Sequence, residues 1–514
     1  MRSILPATYL SILIWTNPAT AQTRFEISPD GRDTAIVDAS DRSRDVSFFL
    51  DIVPFPLAPN WNCDIRMQVG GVDLGDLDND HDLDLAVACY RSQSYPPYPD
   101  WRKFVLYNQG GQLQTTPGWW SRDSTSATEV RIADFNNDNH PDIFGGNGDG
   151  SFPPDAIYFG LAGDSLSRTV GWTATNSTWT TGVAVCDFDH DGDIDVATSN
   201  QGVAPNANRP VHIFRNNNGS LERSPSWSSS TNEISSAIAW GDINNDGFED
   251  LAVSKWVNFR SCVYRNDSGS VQTSPSWTAN TTQGQKGIAW ADINGDTLLD
   301  IAIGGSIPTQ AYLNTGGNFG SGPIWESQNA YHGTQDIAWA DIDEDGDPDL
   351  ATAEFSTGQF RIYLNRNGQL DQTPSWQYDS PNVGTALAFG DINRDGHVDL
   401  IIGVSGQPCV SAFYSQLVTG VGEQRMPVEF ALRQNYPNPF NPSTRIRFQL
   451  STTSFVTLRV FDVMGREVAT LVNEERKAGS YERVFDGNTL AGGVYFYRLV
   501  AGGFVATNKM VLLK

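Results

Sequence analysis

Between residues 45 and 416 the apolar positions fall in short runs, such as GIAWADIN ending at Asn294 and DLAVS from Asp250, each bounded by Gly, Asn or Asp. No apolar stripe of 3.6-residue period reaches useful length, and the runs are rich in Val, Ile and Trp, so the pattern predicts short strands joined by tight turns. Between paired runs sits a polar nonapeptide. It occurs seven times, and its starts lie 58, 53, 55, 50, 49 and 50 residues apart. A fixed period in that range signals a propeller or a solenoid.

The nonapeptide is acidic at fixed places. Position one is Asp76, Asp134, Asp187, Asp242, Asp292, Asp341 and Asp391; position five is Asp80, Asp138, Asp191, Asp246, Asp296, Asp345 and Asp395. Position nine is Asp84, Asp142, Asp195, Asp250, Asp300, Asp349 and Asp399, and position three is Asp78, Asp189 or Asp343, or else Asn136, Asn244, Asn294 or Asn393. Two further markers keep the same register. Trp61, Trp119, Trp172, Trp227, Trp277 and Trp376 each lie 15 residues before a first Asp, and Trp325 lies 16 before Asp341. A third-strand marker ends at Asn108, Asn216, Asn266, Asn314 and Asn365, with Gly160 as its counterpart in the second copy.

Each copy therefore reads as four strands: one entering the acidic loop, one leaving it, one ending at the Asn marker and one around the Trp. Seven such copies predict an all-β, seven-bladed propeller over 45–416. Closure follows from the ends. The last copy lacks a Trp segment, and the segment around Trp61 lacks preceding strands, so Trp61 is expected to complete the seventh blade and remove free sheet edges.

Oxygen ligands at alternating positions around a tight bend suit a hard cation, and the expected cofactor is calcium, up to seven ions. Seven divalent ions would roughly halve the formal charge of −26. Position six is Gly in four copies and Asn139 in a fifth, as a bend at positive φ favours; His81 and Thr297 depart from this, so their loops are expected to be weaker. An EF-hand would need Glu at position twelve, where none stands, and flanking helices. The pattern GTALAFGDINRDGHVDL, Gly384 to Leu400, resembles the FG-GAP or VCBS-type calcium repeats of integrin-like propellers. That resemblance implies the fold and the metal; the family's ligands are too varied to imply one.

After a linker, 417–429, residues 430–514 alternate apolar and polar positions with regular turns and predict a small Ig-like β-sandwich. Asn435 to Pro442 (NYPNPFNP), Gly465-Arg466, Gly493-Val494-Tyr495 and the ending KMVLLK make this stretch similar to the type A C-terminal sorting domain of the type IX secretion system. The resemblance implies the secretion machinery as partner and a secreted or cell-surface location. At the other end, Arg2, an apolar stretch from Ile4 to Trp15 and Ala19-Thr20-Ala21 read as a signal peptide, 1–21, followed by an extension, 22–44.

Composition narrows the function. With 34 Lys+Arg against 60 Asp+Glu the chain is no nucleic-acid binder. No later apolar run is long enough to span a membrane. Five Cys cannot staple a chain of 514 residues, although Cys63, beside the closing Trp, and Cys409, in the last blade, are candidates for one ring-fastening disulfide. His81, His140, His190 and His397 sit in the loops and are expected to face solvent, while His212 and His332 have no catalytic partner in sequence. No nucleophile elbow, metalloprotease helix or phosphate loop appears. The expected role is a binding or adhesion module for a glycan or protein ligand, with no enzymatic activity; the alternative is an extracellular polysaccharide lyase or hydrolase. Insertions in blades one to three fall on the face opposite the acidic loops, where Tyr95, Tyr98 and Trp101 are candidate ligand contacts.

Overall fold

The computed structural model describes the strands Leu10–Leu13, Arg24–Ile27 and Asp33–Ile36, and residues 53–512 apart from 91–100, 149–152, 163–164, 177, 202–209, 257–258, 283, 307, 329–332, 417–429, 434, 436–437, 439, 441–442, 451, 478 and 489. The three N-terminal strands pair antiparallel within a unit of their own, Met1–Ile52, and the first of them falls inside the expected signal peptide.

The acidic runs and their apolar flanks form seven blades of four antiparallel strands; blades two to six are separate sheets, and blades seven and one are joined into one eight-stranded sheet by pairing of Ser405 with Gln68 and Gly406 with Met67. Blade four shows the pattern, with strands Ser235–Gly241, Asp250–Lys255, Cys262–Tyr264 and Trp277–Thr278. In each blade the first strand enters the acidic loop and the second leaves it. Second strands such as Asp84–Cys89, Asp250–Lys255 and Asp349–Glu354 are buried at every position, because neighbouring blades cover both faces. That explains why their sequences are apolar runs rather than alternations.

Seven apolar seams close the ring. Ala86, Val105 and Trp119 of blade one pack with Val130, Ile143 and Tyr158 of blade two. Equivalent clusters join each later pair, and the last joins Ile401 and Val410 of blade seven to Val69 and Leu85 of blade one. Every inner strand lies against the next, the seventh against the first.

The expected closure is observed. Trp61–Asn62 pairs antiparallel with Val410–Phe413, so the N-terminal end of the ring supplies the outer strand of a blade whose other strands come from residues 383–413. Residues 53–56 take part as well: Val53 and Phe55 are buried in the seam between blades six and seven.

Residues 430–512 form a second, separate core between two sheets. One holds Ala431–Leu432, Ser443–Leu450 and Gly479–Asp486; the other holds Ser454–Asp462, Glu467–Arg476, Gly493–Ala501 and Phe504–Leu512. Ile446, Phe448, Val456, Leu458, Tyr497 and Met510 fill the space between them. The Asn-Pro motif is built into this sandwich: Asn435 is buried and donates to Thr444 Oγ1 at 2.9 Å, and the Phe440 N–H donates to the Val511 carbonyl at 2.9 Å. Among the described residues there is no helix, and none therefore is long and apolar enough to cross a membrane.

Candidate functional site

The loop conformation follows from the backbone hydrogen bonds that the carboxylates accept. In the first loop the Asp76 carboxylate accepts from the N–H groups of Asp80 and His81, both at 3.0 Å, and Asp80 accepts from Asp82 at 2.8 Å. Bonds from position six to position one and from position seven to position five recur in all seven loops. Such a turn bends through the left-handed region twice. Position six is at positive φ throughout, including His81 (73°) and Thr297 (74°), and so is position four, from Asn79 (58°) to Arg394 (60°). The backbones of His81 and Thr297 take the same turn as the glycines, held there by the bond to position one. For Thr297, a β-branched residue, that conformation is strained.

Position nine works differently. Asp84 is fully buried; one oxygen accepts the Leu77 N–H at 2.9 Å and the other the Asn108 N–H at 2.7 Å. The same double acceptance, from position two and from the third-strand turn, holds Asp142, Asp195, Asp250, Asp300, Asp349 and Asp399. Burial pushes Asp84, Asp142 and Asp195 up to about 7 and Asp349 up to about 8. The residue thus ties the acidic loop to the third strand.

The loops divide into two kinds. Where position three is Asp, the carboxylates converge: Asp76, Asp78 and Asp84, then Asp187, Asp189 and Asp195, then Asp341, Asp343 and Asp349, bring ligand oxygens within 4.8 Å of one another. Asp78 Oδ1 and Asp189 Oδ1 are buried with no hydrogen-bond partner, an orientation that a cation would satisfy. Where position three is Asn, its amide donates to the position-five carboxylate, as from Asn136 to Asp138 at 3.0 Å and from Asn244 to Asp246 at 2.8 Å; Asn294 and Asn393 do the same at 3.0 Å. In those four loops the amide oxygen already accepts the position-five N–H or lies beside it, so metal capture needs the amide to turn. Loop three carries a competitor: Arg215 Nη1 lies 2.8 Å from Asp189 Oδ2.

Adjacent loops also touch. Position four of one reaches position seven of the next: Arg394 pairs with Asp82 at 2.9 Å, Asn137 donates to Asp193, and the His190 ring stacks on Phe248 at 4.5 Å. His397 is not solvent-facing as expected. Its Nδ1 lies 2.6 Å from Glu344 Oε1, and this pairing leaves the side chain 16% exposed.

On the opposite face the long connections between second and third strands occupy 90–103, 148–155 and 202–211 in blades one to three, against 306–309 in blade five. Tyr95 and Tyr98 lie outside the described residues, as does His332; Trp101 is half-buried. His212 is buried, its Nδ1 lying 2.9 Å from Ser228 Oγ. Sequence reasoning missed Lys103, which is fully buried just before the strand Phe104–Leu106, donates to Thr125 Oγ1 at 3.0 Å and sits 5.5 Å from the Tyr158 ring centre. Burial pulls its ammonium down to about 8, opposed by Asp123. A lone Lys at the edge of the strand run KFVLYN gives no sign of this.

Comparison with known proteins agrees with the architecture. Residues 76–145, 134–198, 202–253, 294–352 and 345–402 match the model of the FG-GAP-like repeat, and residues 434–513 match that of the secretion system C-terminal sorting domain. No curated protein matches the chain. Among solved structures the chain is similar, at 15% identity and a TM-score of 0.41, to PorZ, an essential bacterial surface component of the type-IX secretion system of Porphyromonas gingivalis. The alignment covers 96% of this chain and 63% of that one.

Proposed function

Because the chain belongs to the FG-GAP-like repeat family and carries a sorting domain that sends it by type IX secretion to the cell surface or beyond, we propose that it is a calcium-loaded propeller serving as an extracellular binding or adhesion module. The observation that carries the metal is the convergence of three carboxylates per loop in blades one, three and six, with buried oxygens of Asp78 and Asp189 left unpartnered. Oxygen-only donor sets of this charge suit calcium rather than a softer metal. Positions one, three, five and nine would hold the ion, and it would supply charge balance and cross-linking of the turn. The four loops with Asn at position three would bind more weakly, with one less charge each.

Binding rather than catalysis is the reading that the chemistry favours. The connections between second and third strands are longest in blades one to three, and loops on a fixed scaffold commonly supply recognition. The connection of blade one carries Tyr95, Tyr98 and Trp101 in its sequence, the residue types that a glycan or an extended peptide would use. The sandwich at 430–514 would be the part that the secretion machinery engages.

A glycan array run in calcium and in chelator, alongside an assay for reducing-sugar release, separates the readings. Calcium-dependent retention of a glycan without release supports the module; release of sugar ends replaces it with a polysaccharide-active enzyme. Metal analysis of the purified protein tests the calcium independently.

A further inference from the structure

The seam that closes the ring contains a second fastening. Cys63 follows the two-residue strand Trp61–Asn62, and Cys409 precedes Val410–Phe413, the strand with which it pairs. Their Sγ atoms lie 3.4 Å apart although 346 residues separate them in sequence. The backbone holds both sulfurs in place from either side. Cys63 N–H donates to the Val410 carbonyl at 3.1 Å, and Cys409 N–H donates to the Ile65 carbonyl at 3.0 Å.

We propose that Cys63 and Cys409 are oxidised to a disulfide in the exported protein, forming a covalent latch across the seam where the two ends of the ring complete one blade. Three observations support it. The two sulfurs already face each other in a common apolar cluster, and a bond of about 2.05 Å requires them to approach by only about 1.4 Å. Export takes the chain into surroundings where disulfides persist. The noncovalent closure rests on two short pairings, Ser411 to Asn62 with Ala412 to Trp61, and Ser405 to Gln68 with Gly406 to Met67, which a covalent bond would reinforce.

The chemistry is thiol–disulfide exchange with an oxidised dithiol donor. The Cys63 thiolate attacks one donor sulfur, a mixed disulfide forms, and the other donor sulfur leaves as a thiolate. Cys409 then loses its proton and attacks Cys63 Sγ, releasing the second donor sulfur. Two thiols are oxidised, the donor disulfide takes up two electrons, and the two protons end on the donor. Both sulfurs are buried in the closed ring, so the exchange belongs to the moment before the Trp61 strand seats.

The test uses the full chain, exported by its own secretion route and purified without reductant. Denaturation in an alkylating agent followed by non-reducing peptide mapping is expected to show a linked Cys63–Cys409 pair, with Cys89, Cys186 and Cys262 alkylated. Five alkylated cysteines would overturn the proposal, and so would a pair involving Cys89, which shares the same cluster. Reductant should then lower the melting temperature of the wild-type protein by several degrees and leave the doubly substituted C63S/C409S protein unmoved. A linked wild-type protein that melts alike with and without reductant would mean that the bond is not a latch.

Discussion

The Asn108 side chain donates from Nδ2 to the Ile392 carbonyl at 2.8 Å, so the turn of blade one grips the acidic loop of blade seven across the two ends of the ring. Asn216, Asn266, Asn314 and Asn365 make the same bond to Phe135, Phe188, Ile243 and Ile293 of the preceding blade. Asn108, Asn216, Asn266 and Asn314 donate a second time, to the position-eight carbonyl of their own loop.

Asn266→Ala removes both bonds and takes a donor from the buried Phe188 carbonyl and the part-buried Glu249 carbonyl. Each such group costs about 1–3 kcal/mol, so a loss of roughly 2–4 kcal/mol in urea unfolding is expected, with the fold retained. A change below about 0.5 kcal/mol would show that the amide merely fills space.

Gly219 tests the contact between hairpin and loop. It sits at φ 73°, and a Cβ there would lie 2.4 Å from the Asn136 carbonyl oxygen of the preceding blade. Gly219→Ala should therefore lower the melting temperature, whereas Gly247→Ala, at φ 94° with open space around it, should cost only its backbone strain. Equal effects of the two substitutions would remove the steric account.

The repeat, its strands, the closing Trp and the acidic turn were all legible in the sequence, because each leaves a local mark at a constant spacing. What lay beyond it is the reason for two of the marks. Trp61, Trp119, Trp172 and Trp227 donate from the indole to carbonyls of the next blade, at Leu113, Leu166, Leu221 and Val271, and Trp376 finds a substitute acceptor in Pro56. These partners are 44 to 320 residues away and need only a backbone carbonyl, which no side-chain pattern encodes. Gly160 shows the reverse. It lacks the Asn amide, and a Cβ at that position would meet the Pro141 carbonyl at 2.6 Å. The double φ bend was half visible: Gly marks position six in four copies, but Asn, Gly, His, Glu and Arg share position four.

Acidity should stabilise the metal-free protein. Burial holds Asp84, Asp142 and Asp195 at about 7, above the ~3.9 of an unfolded Asp. The native state therefore binds more protons than the unfolded chain between about pH 4 and 7, and stability falls as pH rises through that window. Buried Glu129 and Asp155, also held at about 7, act in the same direction. In chelator the melting temperature is expected to be higher at pH 5 than at pH 7.5. Calcium needs the same carboxylates ionised, so its added stabilisation should grow over that interval. A chelated protein that melts lower at pH 5 would contradict the assignment.

Arg215 is expected to limit the calcium affinity of loop three. Loops one and three carry Asp at positions one, three, five and nine, yet only in loop three does a guanidinium lie 2.8 Å from the position-three carboxylate, with its carbon 5.3 Å from the Phe188 ring centre. A fixed positive charge there repels a dication and occupies one of its ligand oxygens. Arg215→Met keeps a long apolar stem against Phe188 and frees Asp189 Oδ2, at the cost of the bond from Arg215 Nη2 to the Gly269 carbonyl at 3.3 Å. Calcium binding at this loop should tighten about 3- to 10-fold, the size expected when one nearby charge of the same sign is removed at a partly solvated site. Calorimetric titration resolves it against Asp78→Asn in loop one, which should weaken binding. If the Arg215 variant binds calcium no better than the parent, the guanidinium swings away when the ion arrives, and loop three ranks with loop one.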